Sequence, residues 1–260
     1  MQLSYEQKQA IYEQGYVVVP GVIPRVMIDA ALRAINHSVG EGMSAEEMTT
    51  FRAQSYSREL QTAPVITDLL NKTPAWSLAE SAIGEGAIKP VRGAQIALRF
   101  PTMQDPPSPP HPHLDGMYTP TNGVPEGTIQ NFTMLLGVVL SDVSKLYAGN
   151  LTVWPGTHRI YEHYFQQHGW QSLLKGMPPV ALPEPQQLMA QAGDVVLCHY
   201  QLAHGITANI SPNIRYAIYF RLHHVEHETY GKQTMTDIWL EWPGMQTFTG
   251  QSATSGAPVM

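Results

Sequence analysis

The sequence predicts a mainly β protein whose short strands close into a barrel or sandwich, preceded by a mostly helical N-terminal part. Two observations carry this reading. Residues 1–90 hold helix caps and apolar residues at helical spacing. From about Val91 the texture changes to short apolar and β-branched runs punctuated by glycine and proline. Length alone would also admit two small domains. With no repeat, linker or low-complexity stretch, the 260 residues read as one domain: a helical flank at 1–90, a strand core at 91–225 and a C-terminal segment at 226–260.

In chain order, Ser4 caps a first helix, with Gln7 at the capping-box position and Gly15 as its stop. Tyr16 to Val19 is a short strand, and Pro20-Gly21 a turn. Pro24 to Ser38 is an amphipathic helix with Val26, Ile28, Ala31, Leu32 and Ile35 near helical spacing. Glu59–Leu70 and Ala75–Ile83 are further helices. Ile96 to Phe100 opens the strand region. A stiff loop follows, with prolines at 101, 106, 107, 109, 110 and 112. Phe132–Ser141, Asn150–Trp154, Asp194–Tyr200 and Ile214–Leu222 read as strands. The tail from Thr249 is small and polar and is expected to be mobile.

Composition excludes several classes. The formal charge is −6 and no basic run forms an electrostatic footprint, which tells against a nucleic-acid partner. The longest clean apolar run, Phe132–Leu140, is too short to span a bilayer. A lone cysteine, Cys198, permits no intrachain disulfide, and the N-terminus lacks an apolar secretory core. The expectation is a cytoplasmic protein with a small-molecule substrate and no membrane partner. Oligomeric state is left open.

The chemistry is concentrated in two stretches. His111-Pro-His113-Leu-Asp115 holds a His-x-Asp, and His204-Gly lies far downstream, eleven residues before Arg215. On a strand His113 and Asp115 would point to one face. Two imidazoles and one carboxylate can occupy one face of an octahedral iron and leave three positions for a bidentate 2-oxo acid and dioxygen. Structural zinc would favour four ligands, often cysteine. His111 competes with His113 but lacks the His-x-Asp spacing. His199, His223, His224 and His227 rank lower, and His158 reads as fixing a turn. Arg215 has the planar fork that grips a carboxylate. Arg221 shares its face by strand periodicity, which does not choose between the two.

Four passages resemble the phytanoyl-CoA dioxygenase family. They are Gln14-Gly-Tyr-Val-Val-Val-Pro-Gly-Val-Ile23, His113-Leu-Asp115, Gly149-Asn-Leu-Thr-Val-Trp-Pro-Gly-Thr-His158, and Gly193-Asp-Val-Val-Leu197 through His204-Gly to Arg215. The resemblance spans residues 5 to 222. It implies a double-stranded β-helix (a cupin-like jelly roll) wrapped by helices. It implies Fe(II) on His113, Asp115 and His204, 2-oxoglutarate on Arg215, and O2 as oxidant. It also suggests co-substrate or pocket roles for Asn131, Thr133, Gln95 and Arg99. Two positions depart from the pattern: Ile206 stands where a serine is common, with Thr207 beside it, and Leu114 stands where glutamine is common.

The function expected is hydroxylation of a C–H bond in a small metabolite, with release of succinate and CO2. Halogenating relatives lack the acidic ligand, and Asp115 is present. Desaturation, epimerisation or ring formation are alternative outcomes of the same cofactor chemistry. A cupin-like zinc or manganese enzyme and a non-catalytic binding module are the competing classes. The proline-rich loop and the residues after Met117 are candidate lids. Tyr118, Tyr147, Trp170, Trp239 and Trp242 are aromatic candidates for substrate contact, with core packing as the default for each.

Overall fold

The computed structural model describes residues 1–250; the mobile tail expected from Thr249 onward therefore falls mostly outside the described residues. Helix α1 (Tyr5–Gln14) is bounded as its sequence dictates. The Ser4 hydroxyl accepts from the Gln7 amide at 3.2 Å, the Gln7 side chain accepts from the Ser4 amide at 2.9 Å, and Gly15 ends the helix at φ 85°. Strand β1 (Tyr16–Val19) follows directly. Helix α2 (Arg25–Gly40) buries Ile28, Ala31 and Ile35, whereas Val26 lies outside the apolar stripe and is exposed. After α3 (Met48–Ala53), the helix expected over 59–70 is broken. Residues 58–60 form one 3-10 turn, and Pro64 restarts the chain as α4 (Pro64–Asn71). Both α4 and α5 (Pro74–Ile83) begin on proline, where no amide donor is required.

The rest of the chain lays down β2 (Gln95–Arg99), β3 (Met134–Val139), β4 (Leu151–Val153), α6 (Thr157–His168), β5 (Gln186–Gln187), β6 (Val195–His199), β7 (His204–Ile206), β8 (Arg215–Leu222), α7 (His227–Tyr230) and α8 (Gln246–Thr249). The strands form two antiparallel sheets, ordered β1-β6-β3-β8-β2 and β5-β4-β7. Central strand β3 is buried on both faces, as its unbroken apolar run requires. Met134, Leu136 and Val138 join one core, shared with α2, α4 and α5. Leu135 and Val139 join a second core with Val153 of β4 and with Tyr161 and Phe165 of α6.

The expectation of a mainly β chain is corrected in one respect. Helix makes up 34% of the described residues and strand 17%. The strands are only two to eight residues long, and α6 occupies a stretch in which only a turn at His158 was expected. Among the described residues no helix is long and apolar enough to cross a membrane.

Candidate metal centre and its cavity

His113 and His204 face each other across an isolated antiparallel bridge. The His113 amide donates to the His204 carbonyl at 2.9 Å, and the His204 amide returns the bond at 3.1 Å. On its other side β7 pairs with β4, setting His204 opposite Val153. The glycine of His204-Gly205 makes this approach possible, because a Cβ there would stand 2.4 Å from the His111 carbonyl oxygen. Asp115 does not continue a strand with His113. It enters a turn completed by Gly116 at φ 82°, where a side chain would collide with the Gln130 carbonyl.

Bridge and turn bring three side chains to one point. Asp115 Oδ1 lies 3.4 Å from His113 Nε2 and 3.7 Å from His204 Nε2, and all three donor atoms fall within 4.8 Å of one another. His204 Nδ1 donates to the Leu202 carbonyl at 2.9 Å. That bond places the imidazole proton on Nδ1 and leaves the Nε2 lone pair directed at the cluster. Two imidazole nitrogens and one carboxylate oxygen, converging from separate segments, can hold a divalent ion.

The second carboxylate oxygen is already held. Arg221 donates from Nε to Asp115 Oδ2 at 3.1 Å and from Nη2 to Gln95 Oε1 at 3.0 Å, and its Nη2 forms an ion pair with Asp115 Oδ2 at 2.8 Å. Burial alone would raise the Asp115 pKa, but Arg221 and the two imidazoles outweigh it and hold the carboxyl well below its usual range. Desolvation, reinforced by the charge of His204, pushes the His113 pKa down. For His204 desolvation works in the same direction, but the Asp115 carboxylate prevails and the pKa rises. The geometry thus keeps an ionised carboxylate between two imidazoles.

The triad opens on a cavity of about 610 Å³ whose walls include Gln95, Arg99, Arg215, Tyr219 and Arg221. Strand alternation explains the set. Gln95, Ala97 and Arg99 of β2 pair in register with Tyr219, Ala217 and Arg215 of β8, and all face the cavity side of the sheet. Arg215 is buried, donating from Nε to the Gly149 carbonyl at 2.8 Å and from Nη1 to the Ala97 carbonyl at 3.0 Å. Gly149, at φ 76°, adopts a backbone that side chains rarely take, and a Cβ there would press on Arg99 and Arg215 at 3.0 and 3.1 Å.

Other candidates lie elsewhere. Asn131 and Thr133 do not line the cavity. The Asn131 amide donates to Gly231 O and Thr234 Oγ1, and Thr133 Oγ1 donates to Glu241 at 2.5 Å, so both clasp the C-terminal segment. Ile206 faces the cavity, but Thr207, just past the end of β7, is buried beside Asn150 and does not line the cavity in place of a serine. His199 and His158 bond the backbone carbonyls of Ile238 and Tyr12, and His227 pairs with Glu241 at 2.9 Å. None of Tyr118, Tyr147, Trp170, Trp239 or Trp242 lines the cavity; the last two pack on His199. Arg221, which periodicity did not separate from Arg215, lines the wall together with Arg52, Gln54 and Tyr219, which were not among the expected site residues. Alternation from Arg215 was a signal for Tyr219 and Arg221; Arg52 and Gln54 carried none.

Several solved structures share this fold. The non-heme α-ketoglutarate dependent carbocyclase SnoK from nogalamycin biosynthesis is 19% identical, with 89% of this chain and 90% of that chain covered and a TM-score of 0.53. HygX from Streptomyces hygroscopicus, with nickel and 2-oxoglutarate bound, is 15% identical over 86% of this chain and 88% of that one, at 0.55. EctD from S. alaskensis is 17% identical over 85% and 77%, at 0.54. No curated protein matches in sequence. The phytanoyl-CoA dioxygenase (PhyH) family matches residues 11–217, most of the chain. The chain therefore belongs to the phytanoyl-CoA dioxygenase family, whose members are 2-oxoglutarate-dependent non-heme iron oxygenases.

Proposed function

We propose that this protein is a dioxygenase on a jelly-roll core that hydroxylates a C–H bond of a small organic molecule, consuming 2-oxoglutarate and releasing succinate and CO2. In this reading the whole chain is one catalytic domain. His113, Asp115 and His204 hold Fe(II), and Arg215 anchors the distal carboxylate of 2-oxoglutarate. The observation that carries the proposal is the convergence of those three donor atoms within 4.8 Å at the wall of a cavity that Arg215 also lines.

Bound iron with 2-oxoglutarate would supply the oxidising power for C–H cleavage. The chain's own residues do the positioning. His204 presents Nε2 because its other nitrogen is tied to Leu202. Asp115 offers Oδ1 to the metal while Arg221 keeps Oδ2 engaged. Arg215 is fixed by two backbone carbonyls before any ligand arrives, so little side-chain entropy is lost on binding. Gln95 and Tyr219 complete the polar wall, and Leu135, Leu151 and Ile206 limit water access.

Anaerobic titration with ferrous iron and 2-oxoglutarate tests the assignment. A weak visible charge-transfer band is expected; Asp115→Ala abolishes it. Arg215→Ala weakens 2-oxoglutarate binding roughly 10- to 150-fold, the equivalent of one charge-assisted hydrogen bond of about 1.5–3 kcal/mol. A wild-type protein that binds iron but shows no band with 2-oxoglutarate would sink the proposal in favour of a different metal chemistry.

A further inference from the structure

The cavity beside the triad has an unusual charge balance for this chain. The protein carries 15 lysines and arginines against 21 acids, and a formal charge of −6. Yet the cavity wall includes four arginines, Arg52, Arg99, Arg215 and Arg221, and among the described residues one acid, Asp115. A concave site lined by one sign of charge focuses its field on the opposite sign.

If the oxygenase reading holds, two of the four arginines already have an anionic partner. A ferrous ion and doubly ionised 2-oxoglutarate add no net charge to the site, so the wall keeps its excess of cations. Arg221 cancels Asp115 through the contact at 2.8 Å. Arg215 serves the co-substrate. Arg52 and Arg99 are left over, and among the described residues neither has a carboxylate partner. Arg99 is half-buried, and its Nε donates only to the Thr207 carbonyl at 3.1 Å. The two guanidiniums also repel one another. The Arg99 pKa is lowered first by burial and then by the charges of Arg52 and Arg215. Like charges gathered at a cavity wall are unfavourable until an anion arrives.

Arg52 sits at the entrance. It is exposed, lies on α3, and its guanidinium makes no hydrogen bond among the described residues. Two residues on, Gln54 Nε2 donates to the Thr121 carbonyl at 2.9 Å, tying this end of α3 to the loop after Met117. The guanidinium is therefore free to meet a ligand on entry, while Arg99 waits deeper on β2. The remaining polar wall, including Gln54, Gln61, Gln95 and Asn122, is uncharged. It suits the hydroxyl or carbonyl groups of a polar molecule.

We infer that the substrate is a small organic oxyanion, a carboxylate or a phosphate monoester, whose charged group docks on Arg52 and Arg99 while its neutral part reaches the triad. The inference rests on the oxygenase reading and refines it.

The test uses the full chain loaded with Fe(II) and 2-oxoglutarate. Short- and medium-chain carboxylic acids and sugar phosphates are each paired with a neutral counterpart, the methyl ester or the free sugar. All are scored by succinate release above the substrate-free rate. Acids are expected to accelerate release with a KM at least about 10-fold below that of their neutral partners, the scale of one charge-assisted hydrogen bond. Whether the carboxylates or the phosphates respond identifies the anion. Arg52→Gln should raise the KM of the best acid about 10-fold or more, leave its kcat nearly unchanged, and leave 2-oxoglutarate affinity, read from the anaerobic band, within about twofold. Arg99→Gln should act in the same sense. Neutral partners performing as well as the acids, no acid accelerating release, or an unchanged KM in Arg52→Gln each overturn the inference. So does a loss of 2-oxoglutarate affinity in both variants without a change in substrate KM, which would assign these arginines to the co-substrate. Absence of the band in wild type fails the oxygenase reading itself, so the two failures are distinct.

Discussion

Asp115 has two oxygens and two different tasks. Oδ1 faces both imidazoles, and Oδ2 is taken by Arg221, which Gln95 steadies from behind. A carboxylate divided in this way is disposed to bind a metal through one oxygen, leaving more of the coordination sphere for ligands. Partners that orient a metal ligand typically contribute 10- to 100-fold in affinity. Arg221→Gln is therefore expected to weaken Ni(II) or Fe(II) binding by about that factor in calorimetry, with Arg221→Lys recovering part of the loss. An unchanged dissociation constant in the glutamine variant would show that Arg221 is a bystander of the centre. Sequence spacing could not reveal this role. Periodicity places Arg215 and Arg221 on one face of β8, but only the turn at Gly116 brings Asp115 to one of them rather than the other.

At the scale of elements, the centre depends on two backbones lying unusually close. His113 and His204 share a pair of backbone hydrogen bonds, and the carbonyl of His111 rests over Gly205. Gly205→Ala should force the proline-rich loop off β7. The expected cost is about 1–3 kcal/mol of stability, as in overpacked cores, together with loss of metal affinity because the two imidazoles separate. Gly40→Ala provides the contrast, since nothing lies within 4 Å of a Cβ at that position. It should leave both midpoint and metal binding near wild type in urea titrations followed by calorimetry. Equal metal affinity in Gly205→Ala and wild type would remove the bridge from the account. Elements with strong local signals were legible in advance: the Ser4–Gln7 capping box, the Gly15 stop, and the strands at 95–99, 134–139, 195–199 and 215–222. Those defined by distant partners were not. α6 is no such case, since Tyr161, Tyr164 and Phe165 stand at helical spacing on the core side, but β7 is three residues long and acquires its identity from β4 and His113. Asn131 and Thr133 were misplaced for the same reason, since their partners lie about a hundred residues away in the C-terminal segment.

For the whole molecule, the C-terminal segment packs on β6 and on the residues around Asn131. His199 on β6 is buried between Trp239 and Trp242. Its Nε2 donates to the Ile238 carbonyl at 2.9 Å, and its Nδ1 accepts from the Gln201 amide at 3.0 Å. A ring accepting at one nitrogen and donating at the other is neutral. Desolvation drives its pKa down to about 4, against weaker opposing effects from the Ile238 carbonyl and the Glu241 carboxylate. His158 of α6, which stands beside it, is shifted in the same direction. An unfolded histidine titrates near about 6.5. Above that pH neither state of His199 is protonated and the residue adds no pH dependence. Between about 6.5 and 4 the unfolded chain binds the proton and the folded chain does not, so stability falls with falling pH by up to about 3 kcal/mol from this residue. Below about 4 both states are protonated and its contribution levels off. Denaturant midpoints measured across this range should show a shallower acid decline in His199→Gln than in wild type, even though the variant starts less stable at neutral pH. Parallel curves for the two proteins would mean that His199 does not couple protonation to the docking of the C-terminal segment.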